Sequence, residues 1–359
     1  MIRPLLFLGD PEDSHEKTLM LLSKITPLEG ALGRLFSVRD ERLRVQLGPL
    51  VFPNPVGLAG GFDKNAVAVK TIASFGFGFV EVGAVTAVAQ PGNPKPRLYR
   101  LPEDEALINR LGFNNEGAAV IAARLKTLRG NGTPLKIPLG INIGRSKIVE
   151  TKNAVADFLS VFEKLYPYGD FFTVNVSSPN TPELRDLQEK RLLKGLLQAI
   201  QNKNREWGAR LGCTTKPVLV KIAPDMPLSQ ADDVIEVAIS ENLSGIIATN
   251  ATALLREKLV SGSKEPGGLS GKPLRALATS FVRHLYKATE GKLPVVGVGG
   301  IFTAQDAYEK IKAGATAVQI YTGFIYEGPS AVKRINQGLI RLMERDGFKA
   351  ISEAVGAEK

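Results

Sequence analysis

Histidine and cysteine are nearly missing from this chain: 359 residues include two histidines, His15 and His284, and one cysteine, Cys213. A single cysteine excludes an intramolecular disulfide and a cysteine-built metal cluster, and two histidines exclude a site made of three. No metal is expected, and any proton transfer must rest mainly on another residue type. Long apolar runs are also absent. The longest, such as Leu19-Met20-Leu21-Leu22, fall far short of the roughly 18 residues needed to cross a bilayer. The apolar stretch Leu5 to Leu8 runs straight into Gly9-Asp10-Pro11, too short for a secretory signal, and no Arg- and Ser-rich transit pattern is visible. Composition is otherwise ordinary, with 44% hydrophobic and 23% charged residues, which excludes long disorder. The net charge of +10 suits an anionic surface or anionic ligands. Nucleic acid is not expected as a partner, because the basic residues are dispersed and no aromatic-basic motif accompanies them.

From about residue 56 one unit repeats: a short β-branched run, a loop, then an amphipathic helix. The runs predict strands at Val56–Ala59, Phe79–Val85, Ile137–Ile143, Phe171–Val176, Val218–Ile222, Gly245–Thr249, Val295–Val298 and Ala317–Tyr321. Each is apolar on both faces, as a parallel strand covered by helices should be. Helical patterns lie between them at Glu116–Leu128, Asn153–Leu165, Leu192–Glu206, Gln230–Glu241, Ala276–Thr289 and Ala304–Ala313, the last with Thr303 as N-cap. This alternation predicts an α/β fold, a (β/α)8 TIM barrel, over residues 41–359. Extra length enters at 86–115, 180–191 and 251–271, all after C-terminal strand ends, the face where barrel enzymes keep their active sites. Residues 1–40 stand apart. Ser14 is the expected cap of a helix carrying Leu19, Leu22 and Ile25, and a second short helix after Pro27 carries Leu28, Leu32, Leu35 and Phe36. Such a pair could cap the barrel or lie in a membrane interface.

The strand ends carry groups that a plain core would not use. Gly297-Val298-Gly299-Gly300 and Tyr321-Thr322-Gly323 close the seventh and eighth strands, and glycines there let backbone N–H groups approach a phosphate. Asn142, Asn175, Asn180 and Asn250 stand at or just past strand ends. Amides both donate and accept, so such a ring suits a flat heterocycle with carbonyls and ring N–H groups. Lys221 is a cation in an apolar strand and needs a partner or a task. It could form a Schiff base, stabilise negative charge on a reduced cofactor, or make a structural ion pair.

Several blocks are specific enough to name a family: Gly57-Leu58-Ala59-Gly60-Gly61-Phe62-Asp63-Lys64, Asn109-Arg110-Leu111-Gly112-Phe113-Asn114, Asn175 to Thr181, Lys221-Ile222-Ala223-Pro224-Asp225, Gly268 to Pro273, and Gly297 to Gly300. In order and spacing the chain resembles the dihydroorotate dehydrogenases, in their quinone-linked class 2 form, from about residue 7 to 345. The resemblance implies an FMN across the barrel mouth, held by Gly60, Gly61, Phe62, Asp63, Lys64, Ala84, Asn142, Asn175, Lys221, Thr249, Gly271, Gly300, Tyr321 and Thr322. It places Lys64, Asn109, Arg110, Leu111, Gly112, Phe113, Asn175, Asn180, Asn250 and Ala251 around the substrate, with Lys64 on its carboxylate. Ser178 takes the position of the base that removes the C5 proton of dihydroorotate as a hydride leaves C6 for the flavin. Thr181 and a water are the implied proton path, and Lys221 favours the charge that builds on the flavin. Class 1A enzymes carry cysteine where this chain has Ser178, and the scarcity of histidine agrees with a serine base.

The stretch from Phe7 to His15 resembles the start of the class 2 extension, a helical lid on the membrane with a tunnel to the flavin. That implies a quinone path along His15, Arg100 and Tyr321, a peripheral place on the cytoplasmic face of a bacterial membrane, and a role in pyrimidine biosynthesis. A monomer is expected. His284, in an outer helix, reads as an ordinary surface residue. Two positions depart from the pattern: Ala84 and Ala251 stand where relatives usually carry hydroxyls, each loss removing a hydrogen bond of about 1 kcal/mol. The alternatives are a class 1-like enzyme using fumarate or NAD, and a Schiff-base lyase built on Lys221.

Overall fold

The computed structural model describes residues 7–130, 135–181 and 183–358; the first half of the apolar stretch Leu5 to Leu8 lies outside them. Eight parallel strands close into a barrel: β1 (Val56–Leu58), β2 (Phe79–Val85), β3 (Leu139–Ile143), β4 (Phe171–Asn175), β5 (Val218–Ile222), β6 (Gly245–Ala248), β7 (Val295–Val298) and β8 (Ala317–Ile320). Each pairs with the next along the chain, and β8 returns to β1. Every residue of β2, β3, β4 and β5 is buried, which is why these runs lack the alternation of a half-exposed strand. The (β/α)8 expectation holds, with some strands shorter by one or two residues. β3 begins at Leu139 rather than Ile137 because Pro138 has no N–H for the ladder, although its carbonyl still accepts from Val80 N.

The barrel floor is sealed by a hairpin, Val45–Leu47 with Leu50–Phe52. Phe52 stacks on Phe79 at 4.3 Å, and Phe171 packs against the edge of Phe79 at 6.0 Å. Gly57 makes room for this cluster, since a Cβ there would lie 2.3 Å from the Phe79 ring. The insertions at 86–115 and 251–271 are partly strand rather than loop. Leu98–Leu101, Ala106–Asn109 and Gly268–Gly271 form an antiparallel sheet beside the mouth, over a small core of Leu101, Ala106, Ile108, Leu259 and Leu269. Strands of four residues, with Asn109 and Gly268 meeting across 159 positions, leave no readable periodicity.

Two helices precede the barrel, α1 (Pro11–Lys24) and α2 (Glu29–Phe36). The cap of α1 is Asp10, not Ser14: its carboxylate accepts from Glu12 N at 2.9 Å and Asp13 N at 3.0 Å, and Pro11 opens the helix. Ser14 lies within the first turn. The inner faces, with Leu19, Leu22, Leu32 and Phe36, pack on the barrel core, and Thr71 Oγ1 donates to Leu22 O at 2.8 Å. The outer faces leave Met20, Leu21, Leu28 and Leu35 more than half exposed. Among the described residues, no helix is long and apolar enough to cross a membrane.

Candidate functional site

The C-terminal strand ends open into one cavity with about 980 Å³ of empty space, open solvent included. β1 brings Gly60, Gly61 and Lys64; β4 brings Asn175, Ser178 and Asn180; β5 brings Lys221; β6 brings Thr249, Asn250 and Ala251. Glycines from the loops after β7 and β8 and Gly271 of the side sheet complete the wall. Asn109, Leu111, Gly112 and Phe113 reach it from the insertion after β2. Ala84 lines the same wall. Asn142 lies just beneath, fully within the barrel.

The mouth has the features of a site for a flat, anionic group bearing amide-like donors. Gly300 has φ +71, and a Cβ there would meet the Arg275 backbone at 2.6 Å, so only glycine presents its N–H at this point. Thr322 Oγ1 and Ser270 Oγ are hydrogen-bonded at 2.8 Å beside it. Gln319 Oε1 is buried in the cavity floor without a partner, an acceptor that a bound N–H would satisfy. Lys221 makes no hydrogen bond among the described residues. Burial lowers its pKa and the charge of Glu81 opposes that shift. These observations fit an occupied mouth better than an empty one.

Ser178 is buried, and its Oγ accepts from Asn180 N at 3.2 Å. Thr181, also buried, has an Oγ1 with no partner. Asn180 Nδ2 donates to Asn109 O at 3.0 Å, joining the loop after β4 to the side sheet. Three of the expected contact residues face elsewhere: the Phe62 ring packs against His15, Tyr321 and Phe324. Asp63 turns both oxygens onto Val67 N and Ala68 N, at 2.9 and 2.8 Å, and Arg110 donates outward to Pro96 O and the Tyr99 hydroxyl.

A second, smaller cavity, with about 510 Å³ of empty space including open solvent, lies between α1 and the barrel. Glu12, His15, Glu16 and Leu19 form its outer wall, and Lys64, Leu111 and Tyr321 separate it from the first. His15 Nε2 is 2.8 Å from Phe62 O, and burial beside Lys64 lowers the imidazole to about 4. Lys64 falls to about 8, mainly through burial, and burial pushes the Tyr321 phenol up to about 12. Arg100 is set apart from this cavity: it donates to Gly9 O at 3.0 Å and lies over the Phe7 ring. The helix is anchored by a buried ion pair, with Arg97 Nη2 2.6 Å from Glu12 Oε1.

Glu81, Gln319, Glu12 and Arg97 were not singled out from sequence. Glu81 did carry a signal, a lone acid in the apolar run Phe79–Val85, the same signal that marked Lys221. The Glu12–Arg97 pair, 85 residues apart, carried none. His284 pairs with Asp232 at 2.6 Å on the outside of the barrel, an ordinary surface contact.

Fold and mouth together define a (β/α)8-barrel enzyme that works at the C-terminal ends of its strands. The family model described as Dihydroorotate dehydrogenase matches residues 42–343. A protein of Gloeobacter violaceus named Dihydroorotate dehydrogenase (quinone) is 49% identical over 358 residues, covering 99% of this chain and 98% of that one. One of the same name from Nostoc punctiforme is 47% identical, covering 99% and 97%. The crystal structure of DHODH from Eimeria tenella in complex with ferulenol superposes with a TM-score of 0.90 at 37% identity, covering 97% of this chain and 96% of that one. The chain belongs to the dihydroorotate dehydrogenase family, a family of flavin enzymes, and its relatives carry the name of the quinone-linked form. That favours the quinone-dependent dehydrogenase over the soluble-acceptor enzyme and the Schiff-base lyase.

Proposed function

We propose that the barrel mouth binds FMN and dihydroorotate together and that the electrons leave to a membrane quinone through the cavity under α1. The observation that carries this reading is the meeting of Ser178, Lys221, Lys64, Asn109, Asn175, Asn180 and Asn250 in one glycine-walled cavity. Bound FMN supplies the two-electron acceptor that no side chain of the protein can provide.

The chain's own residues do the rest. Backbone N–H groups at Gly300 and Thr322 hold the phosphate, and Asn175 and Lys221 hold the ring system, with Asn142 bracing Asn175 from beneath. Lys64 meets the substrate carboxylate, with Asn109, Asn180 and Asn250 around its ring. Ser178 Oγ takes the C5 proton. A lone hydroxyl is a weak base, so the proton must pass on, and the unpartnered Thr181 Oγ1 with a water gives it a path. Lys221 puts positive charge where negative charge accumulates during the reaction. Its burial lowers its pKa, and Glu81 helps it stay protonated.

Residues 1–40 act as a separate module on this barrel. The exposed Leu21 and Leu35, with the net charge of +10, suit a peripheral helix pair on an anionic membrane surface, the cytoplasmic face of a bacterial membrane. The enzyme works there as a monomer, and the quinone approaches past His15 and Tyr321, with Arg100 at the entrance. Anaerobic mixing of the detergent-solubilised protein with dihydroorotate is expected to bleach the flavin absorbance, and a short-chain quinone is expected to restore it. A yellow protein that dihydroorotate cannot bleach would remove the substrate assignment.

A further inference from the structure

Glu81 stands on β2 and is completely buried inside the barrel, directly below Gly60, where a Cβ would come within 2.5 Å of its Oε1. Its carboxylate accepts three hydrogen bonds. Asn142 Nδ2 donates to Oε1 at 2.7 Å, while Gln319 Nε2 at 2.8 Å and Thr173 Oγ1 at 3.2 Å donate to Oε2. Every partner of the carboxylate is a donor, so it accepts at each contact. Asn142 must therefore turn its NH₂ downward, which leaves its Oδ1 to accept from Asn175 Nδ2 at 3.0 Å. Asn175 Oδ1 in turn accepts from Ser177 Oγ at 2.9 Å, and Ser177 Oγ accepts from Asn250 Nδ2 at 2.9 Å. From Asn250 to Glu81 every link donates in the same direction. The carboxylate also pins the NH₂ of Gln319, which leaves the other end of that amide, Oε1, buried at the cavity floor without a partner.

We propose that Glu81 is a positioning residue: as the acceptor-only end of this chain, it acts through Asn142 to set which atoms Asn175, Asn250 and Gln319 offer to the ligands in the mouth. An asparagine that can flip would present either a donor or an acceptor to a flat heterocycle, and the wrong choice leaves a buried group unpaired. Glu81 removes that freedom without touching a ligand. The inference rests on the mouth being the FMN and dihydroorotate site.

Glu81→Gln preserves volume but replaces one oxygen by NH₂. Facing Asn142, that group reverses the chain as far as Asn250. Facing Gln319, it forces that amide to turn its NH₂ into the cavity. Either way the mouth presents the wrong atom, and the dissociation constant for FMN (by fluorescence quenching on reconstitution) or for orotate (by perturbation of the flavin spectrum) should rise about tenfold or more. Adding Asn142→Asp moves the carboxylate one step along the chain. The new amide NH₂ at position 81 then donates to the new carboxylate at position 142. That carboxylate still accepts from Asn175, and the original direction returns. The Glu81→Gln/Asn142→Asp protein should recover both constants to within about threefold of wild type. Should Glu81→Gln fail to fold, a folded, yellow double variant supports the inference and an unfolded one overturns it. Wild-type constants in Glu81→Gln, or a double variant no better than the single, also overturn it. A wild-type protein that binds neither FMN nor orotate would instead sink the functional reading beneath it.

Discussion

The two cavities share Lys64, Leu111 and Tyr321 as a common wall, yet they are built in opposite ways. The mouth is held from within. Its polar groups interlock through Asn250, Ser177, Asn175 and Asn142 down to a buried acid, on strands whose every residue is packed. The cavity under α1 is held from outside, by the buried Glu12–Arg97 pair with Lys95 beside it, by the hydrogen bonds His15–Phe62 O and Thr71–Leu22 O, and by apolar contacts of Leu19 and Leu22 with the barrel. Its ionisable groups are strongly displaced, with His15 lowered to about 4 and Lys64 to about 8. A rigid network suits the step that needs fixed geometry, proton removal beside the flavin. A helix held by these few contacts suits a passage that a long apolar acceptor enters and leaves. On this account each region can be damaged without the other.

The largest expected effect breaks only the mouth. Ser178→Ala should slow flavin bleaching by dihydroorotate by about 10²–10⁴-fold, the usual range for a lost general base, while stopped-flow reoxidation by a short-chain quinone keeps its wild-type rate. Next, Glu12→Ala breaks only the other region. It leaves Arg97 charged and buried, a loss of about 3–5 kcal/mol in such pairs, and should lower stability in urea unfolding and raise the quinone KM, while the rate of flavin reduction at saturating dihydroorotate stays unchanged.

A smaller effect sharpens the contrast through pH. His15 titrates at about 4 when folded and at its usual 6.5 when unfolded. Between those values the unfolded chain binds a proton that the folded one refuses, so the His15 contribution is intact above pH 6.5 and is lost as pH falls towards 4. The loss reaches up to about 3 kcal/mol, and His15→Gln should flatten that part of the stability profile measured by urea unfolding. The smallest effect refines the mouth alone. Ala251→Thr returns a hydroxyl beside the substrate and should lower the dihydroorotate KM by up to about fivefold, the worth of one hydrogen bond. An unchanged KM would show that the missing hydroxyl carries nothing.

How much of this was legible in the sequence follows the same division. The barrel could be read because each strand is a short, wholly apolar run followed by an amphipathic helix, and because the polar residues of the mouth sit where those runs end. Asn142, Asn175, Asn250 and Lys221 were found that way. The polarity of the amide chain could not be read, since it depends on Glu81 and Gln319 meeting from β2 and β8, 238 positions apart. Glu81 was visible as a misplaced charge but had no partner on paper. The side sheet leaves no signal in the sequence, its strands being too short for a period to emerge. In α1 the apolar stripe was clear, but the cap was placed at Ser14 because Asp10 and Pro11 are also ordinary turn residues. Nothing local marks Glu12 as buried, because an acid in a first helical turn normally faces water.

The division of labour between the two cavities is tested most directly by measuring both anaerobic half-reactions on two proteins, Ser178→Ala and Glu12→Ala. Flavin bleaching by dihydroorotate is followed first, then its recovery with a short-chain quinone. At saturating dihydroorotate, Ser178→Ala is expected to be slow only in bleaching and Glu12→Ala only in recovery. If either substitution slows both steps by the same factor, the two regions act as one site and the separation argued for here is wrong.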